Sequence, residues 1–172
     1  MTVIEAIRQR RSIRKFKTVA EVTDEQIKLL LEAAMLAPSA CNTRPWEFFV
    51  VKDRAKLEQI RKAHPYTGML ETASLAIIIC ALPESQESVN GGLPKGYYPQ
   101  DCGAATQNIL LAAVELGLGS CWCGVYPKEN RIAEIREILG TTKLPFCVIA
   151  VGVPDENPHP RGKYEESKVT YI

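Results

Sequence analysis

The sequence predicts a layered α/β or α+β fold in one domain over residues 1–172, and three observations point there. Stretches with apolar residues at helical spacing alternate with short, dense apolar runs that read as strands. The 172 residues are 46% hydrophobic, enough to close a core of ordinary composition. No linker, internal repeat or low-complexity tract interrupts them. Periodicity does not give the strand order, so both layered classes remain open at this point.

In chain order, residues 2–9 set Val3, Ile4, Ala6 and Ile7 at helical spacing and deliver a basic loop at the helix end. Thr23 followed by Gln26 makes a capping box, and Ile27, Leu30, Leu31, Ala34 and Met35 continue a helical stripe that ends before Pro38. Residues 47–51 read as a strand, 54–63 as a helix, and 74–82, dense in Ile and Ala, as a fully buried strand. Residues 83–99 hold three Pro and three Gly without apolar periodicity and read as one long loop, of the kind that forms lids or substrate walls. Residues 101–116 are apolar on most faces, through Ala104, Ala105, Ile109, Leu110, Ala112, Ala113 and Leu116, which predicts a central helix buried nearly all round and stopped by Gly117. A strand over 120–125, a helix over 128–139 ended by Gly140, and a buried strand over 146–153 follow. The tail is polar from Pro154 until Val169-Thr170-Tyr171-Ile172, a candidate last strand.

The charge balance narrows the partners. Lys plus Arg number 21 against 20 Asp plus Glu, a net charge of +1, which argues against nucleic acid or an anionic membrane. The longest apolar run, near residues 75–82, is far shorter than the roughly 20 residues of a membrane span. Met1-Thr2-Val3-Ile4-Glu5-Ala6 has no basic region leading into an apolar stretch, so no secretory signal is expected, and the six cysteines then fit free thiols in a reducing cytoplasm. No metal site is expected: only Cys121 and Cys123 are close, at a spacing unlike a zinc site, and His64 and His159 are far apart.

Two segments carry chemistry. Arg10-Arg11-Ser12-Ile13-Arg14-Lys15-Phe16 packs guanidinium and hydroxyl groups into a short stretch of backbone, suited to a local anion such as a phosphate. Ala37-Pro38-Ser39-Ala40-Cys41-Asn42-Thr43-Arg44-Pro45-Trp46 adds a short polar loop about one helix later; Trp46, opening a strand, reads as core or interface. Together they offer what a phosphorylated aromatic cofactor needs. With Gly117-Leu118-Gly119-Ser120-Cys121-Trp122-Cys123-Gly124 and the late Pro160-Arg161-Gly162-Lys163, the order of motifs resembles the nitroreductase family over almost the whole chain.

That resemblance implies an α+β fold with a mixed, largely antiparallel sheet flanked by helices, and a homodimer in which the C-terminal strand joins the partner's sheet. It implies FMN as cofactor, with Arg10, Ser12, Arg161 and Lys163 at the phosphate and Arg11 as a weaker contact. Arg14 falls where the family reaches the pyrimidine edge and ribityl chain, and a positive charge there favours the reduced, anionic flavin. Pro38, Ser39, Ala40 and Asn42 match the loop that reaches the flavin from the other subunit. Cys121, Trp122, Cys123 and Gly124 match the segment beside the flavin ring, with the Gly124 backbone N–H near N5 and no side chain acting as a catalytic acid or base. Neither cysteine is expected to be a nucleophile, since the sequence shows no basic neighbour to lower its pKa.

Two departures stand out against larger family members. They carry an acidic residue at or beside the 121–124 segment, and an Asn and a Lys where this chain has His64-Pro65-Tyr66-Thr67-Gly68. No Gly-x-Gly-x-x-Gly is present, so NADH or NADPH is expected to stack transiently on the flavin rather than occupy its own nucleotide fold. The function implied is hydride transfer from NAD(P)H through FMN to a small nitroaromatic, quinone or related aromatic acceptor by a ping-pong route. Tyr97 and Tyr98 of the 83–99 loop are the candidate substrate contacts. The alternatives are a flavin-binding redox sensor with little turnover, or a dehalogenase or flavin-fragmenting enzyme of the same fold.

Overall fold

The structure, a computed structural model, describes residues 1–87, 96–159, 162 and 164–172. Six α-helices lie in it: α1 (Val3–Gln9), α2 (Asp24–Met35), α3 (Arg54–Ala63), the single turn α4 (Glu84–Glu87), α5 (Tyr98–Glu115) and α6 (Glu129–Leu139). Four strands, β1 (Trp46–Val51), β2 (Leu75–Ala81), β3 (Gly119–Gly124) and β4 (Leu144–Gly152), form one sheet in the order β1-β2-β4-β3. All neighbouring strands are antiparallel, and one isolated parallel bridge, Ser12 to Ser120, lies outside the named strands. The fold is thus α+β, with the layering that the alternation of elements predicts.

Each strand presents alternate residues to opposite faces, which builds two cores from one sheet. Leu75, Ile77 and Ile79 of β2 join Ile149 and Val151 of β4 against α2 and α5. The intervening Ala76, Ile78, Val148 and Ala150 pack with Leu57 and Ile60 of α3 and Ile132 and Ile135 of α6. The central strands are therefore apolar throughout, every β2 residue being buried. Each fully buried Ile or Leu here contributes about 1.5–3 kcal/mol of transfer free energy. Trp46 is buried in the α2/α5 core, as a strand-opening tryptophan should be. Of the residues of α5, only Gln100 and Glu115 are exposed, the all-round burial that its composition predicts.

Two expectations change and one feature is added. The 83–99 segment is not one loop: α4 takes its start, α5 begins at Tyr98, and residues 88–95 lie outside the described ones. Pro99 sits in the first turn of α5, where its missing N–H has no intrahelical partner to lose. Residues 169–172 form no strand in the described chain and are exposed. Finally, α1 has a capping box that the sequence contains but the periodicity does not use: the Thr2 hydroxyl accepts from Glu5 N–H, and the Glu5 carboxylate accepts from Thr2 N–H.

The basic loop is carried across the end of the sheet. Ile13 N–H donates to Ser120 O at 3.0 Å and Lys17 N–H to Val153 O at 2.9 Å, so residues 13–17 run over the ends of β3 and β4. This crossing needs glycine beneath it. A Cβ at Gly119 would stand 2.9 Å from Ile13, and one at Gly152 would stand 2.9 Å from Phe16.

Candidate functional site

Two cavities meet at Arg14. The smaller, about 210 Å³, is lined by Arg10, Arg11, Ser12, Arg14, Pro158, His159 and Gly162. The larger, about 500 Å³, runs past Arg14, Tyr66 and Met69 along Cys121, Trp122, Cys123 and Gly124. The fold thus brings together two of the sequence-predicted groups, the 10–14 loop and the 121–124 strand, although a hundred residues separate them. The 13–17 crossover does this by lying against the end of β3.

The loop's own geometry turns its charges outward. Glu156 accepts the backbone N–H groups of Arg14 and Lys15, and Asp155 N–H donates to Lys15 O at 2.9 Å, which fixes the backbone without engaging the Arg14 guanidinium. Arg14 Nη1 instead donates to Ser12 O at 3.4 Å. Arg11 is half-buried; its Nη1 donates to Arg10 O at 2.6 Å, and its Nε is buried with no hydrogen-bond acceptor among the described residues. A buried guanidinium N–H without an acceptor is costly, and a phosphate oxygen is the natural one to complete it. Arg161 and Lys163 lie outside the described residues, but His159 and Gly162 beside them line the same cavity.

Along the larger cavity, β3 buries Cys121 and Cys123 and exposes Trp122 and Gly124. Val125 N–H donates to Phe146 O at 3.0 Å, so by the alternation of an antiparallel ladder the N–H and C=O of Gly124 face away from β4. Gly124 O lies 2.8 Å from His64 Nε2. A Cβ at Gly124 would meet nothing closer than Tyr126 O at 4.0 Å, so the protein's own packing leaves room for a side chain there. The space is used by the cavity.

Arg14 is also the basic neighbour that the sequence did not reveal for the thiols. The neighbouring Cys123 thiol, the Arg14 charge and Ser12 pull the Cys121 thiol below its ordinary range, against the opposing effect of burial. The Cys123 thiol is raised by its neighbour Cys121 and by burial, and it donates to Tyr66 O at 3.1 Å.

Pro38, Ser39 and Ala40 do not reach these cavities. They line a separate open cleft of about 460 Å³ with Tyr97 and Asp101. Their loop is held in unusual backbone geometry, with φ of 51° at Cys41, 54° at Asn42 and 51° at Arg44. One tie is local, Ser39 Oγ accepting from Arg44 N–H at 2.9 Å, and one is long-range, Ala40 N–H donating to Asp101 of α5. Asn42 is exposed. Tyr97 is exposed beside this loop, whereas Tyr98 is half-buried and packs edge-on against Tyr126 with ring centroids 5.8 Å apart. The tyrosine pair is thus split between surface and core. Met69 and His159 line these cavities without having been singled out in the sequence, and His64 and Tyr66, named there only as part of a departure from larger family members, lie at the larger one.

Among known proteins, the Nitroreductase family profile matches residues 7–64 and 62–153. A protein of Methanothermobacter thermautotrophicus, provisionally named NADH dehydrogenase/NAD(P)H nitroreductase, is 46% identical over 171 residues, covering 98% of this chain and 86% of its own. A crystal structure with the same provisional name from Bacteroides thetaiotaomicron superposes with a TM-score of 0.89 at 42% identity, covering 98% and 96% of the two chains. A provisionally named nitroreductase of Desulfovibrio desulfuricans, solved in complex with FMN, gives a TM-score of 0.82 at 30% identity and covers 100% and 97%.

Proposed function

The chain belongs to the nitroreductase family, and from that premise we propose that it is an FMN-dependent oxidoreductase acting as a homodimer of single-domain subunits in a reducing cytoplasm. It takes hydride from NADH or NADPH and delivers electrons to a small nitroaromatic, quinone or related aromatic acceptor. The observation that carries this reading is Arg14 at the junction of two cavities, one of about 210 Å³ lined by Arg10, Arg11 and Ser12, the other of about 500 Å³ running along β3.

The residues fit the cofactor. Arg10, Arg11 and Ser12 would hold the phosphate, which would give the orphaned Arg11 Nε its acceptor, and the sequence adds Arg161 and Lys163 as further phosphate contacts. Arg14 would set a positive charge beside the flavin ring, and the Gly124 N–H, on the edge of β3, would serve as a backbone donor to it. Bound FMN supplies the redox chemistry, accepting a hydride and passing electrons on. The chain positions and polarises: Cys121, Trp122 and Gly124 form one wall, and Tyr66 supplies an aromatic surface at the mouth. One open face serves donor and acceptor in turn, which gives ping-pong kinetics.

The dimer follows from what the single chain leaves exposed. In α1 only Ala6 is buried, while Val3, Ile4 and Ile7 are exposed, as are Leu36 and Ile172. A partner covers these surfaces, accepts the 169–172 segment at its sheet, and receives Pro38, Ser39, Ala40 and Asn42 at its flavin.

The test is the absorption spectrum of the purified protein titrated anaerobically with NADH and with NADPH. A flavin spectrum that bleaches within the turnover time supports the reading. A flavin that binds and stays oxidised would instead mark a flavin-binding sensor.

A further inference from the structure

His64 closes α3 and is fully buried. Its backbone is fixed on both sides: its N–H donates to Ile60 O at 3.0 Å, and its carbonyl accepts from Thr67 N–H at 3.0 Å and from the Thr67 hydroxyl at 2.8 Å. The ring is fixed as firmly. Tyr66 N–H donates to Nδ1 at 3.2 Å, and a backbone N–H can only donate, so Nδ1 carries the lone pair. The proton of the neutral ring is therefore on Nε2, which donates to Gly124 O at 2.8 Å.

Gly124 needs such an anchor. It ends an edge strand, has no side chain to fix its dihedrals, and its carbonyl faces away from the β4 ladder. In extended backbone the N–H and C=O of one residue point to the same side, so holding the carbonyl also aims the N–H. Arg131 Nη1 approaches the same oxygen at 3.4 Å, a longer contact from an exposed side chain whose guanidinium lies over the Tyr66 ring.

We propose that His64 is a positioning residue, holding the Gly124 peptide through an Nε2–H donor so that the Gly124 N–H is directed at the flavin ring. The inference rests on reading the larger cavity as the flavin-ring site. It gives the His64–Gly68 segment, where larger relatives differ, a role through the backbone of β3 instead of by direct contact with the cofactor.

Three measurements test it. In the cofactor-free protein, ¹⁵N NMR of the His64 ring should show a protonated Nε2 and a bare Nδ1; the opposite tautomer overturns the proposal. In the loaded protein, His64→Leu should shift the flavin N5 ¹⁵N resonance and weaken FMN and riboflavin alike, each by roughly tenfold, the worth of one hydrogen bond. His64→Gln, which keeps a donor, should recover most of both effects. A folded His64→Leu protein with unchanged N5 resonance and affinities overturns the proposal and leaves the flavin reading intact, whereas a wild-type protein that binds neither FMN nor riboflavin overturns both. Should His64→Leu fail to fold, His64→Gln against His64→Asn carries the comparison, and identical N5 resonances in wild type and both variants defeat the proposal.

Discussion

Asp101 accepts the Ala40 N–H on both carboxylate oxygens, at 3.2 Å each, and so ties the first turns of α5 to a loop sixty residues earlier. Asp101 is buried and takes a second donor, Gln86 Nε2, at 2.7 Å. The tie holds a loop with three non-glycine residues at positive φ, each strained by roughly 1–3 kcal/mol. Asp101→Ala leaves the Ala40 N–H without this acceptor and Gln86 Nε2 with only Thr43 Oγ1, and should cost about 2 kcal/mol, read as a lower urea midpoint at constant m-value, with Asp101→Asn intermediate. Equal midpoints for all three proteins would show that the loop holds itself.

The phosphate assignment separates two ligands. Arg10→Ala and Arg161→Ala should each weaken FMN by roughly 10–100-fold, the worth of a charge-assisted bond, and leave riboflavin affinity nearly unchanged. Isothermal titration with both ligands decides it. Parallel losses would move these arginines away from the phosphate.

His64 makes part of the stability depend on pH. Burial lowers its pKa and the Arg131 charge acts in the same direction, while the bond to Gly124 O opposes them. The folded state therefore binds this proton less tightly than the unfolded chain. The contribution is whole above about pH 6.5 and falls by up to about 1.4 kcal/mol per pH unit below that, until the folded ring itself protonates. Urea unfolding between about pH 5 and pH 7.5 should show this slope in the wild type and lose it in His64→Gln. A wild-type profile as flat as the variant's would contradict the assignment.

Acceptor recognition should respond to Tyr66 before Tyr98. Tyr66→Ala removes an exposed ring at the mouth of the larger cavity, and the apparent KM for an aromatic acceptor should rise by about 2–10-fold with FMN content unchanged. Tyr98→Ala cuts a packed ring from the core and should appear in the melting temperature. Tyr97→Ala should change acceptor preference only if the 38–40 cleft meets the partner's flavin. Stopped-flow measurement of the two half-reactions separates these effects.

Assembly should depend on α1. Ile4→Glu with Ile7→Glu places charge on its exposed apolar face without touching Ala6, its buried residue. Sedimentation velocity should show a dimer for the wild type and a monomer for the double variant, with FMN occupancy falling alongside. A fully loaded monomer would show that each subunit holds its flavin alone.

Local signals made most of the fold legible in the sequence. The dense apolar runs of β2 and β4 and the stripe of α2 appear within a residue or two of their predicted ends, because burial on both sheet faces leaves little freedom in composition. The start of α5 was hidden because Tyr97, Tyr98 and Pro99 read as loop, although proline suits a first helical turn. The convergence of Arg14 with Cys121 and Gly124 was expected from the order of motifs, not from any local pattern. His64 was invisible as an anchor: its partner is sixty residues away and is a backbone carbonyl, which any residue type provides.

The crossing of residues 13–17 also bears on solubility. Strand β3 is an edge of the sheet, and an edge exposes backbone donors and acceptors that invite another chain to pair. At one end, Ser120 O is taken by Ile13 N–H; at the other, Gly124 O is taken by His64. What remains open between them is shorter than the five- to seven-residue windows, roughly, that template aggregation. The contacts that shape the cavity along β3 therefore also keep this edge from recruiting a foreign strand.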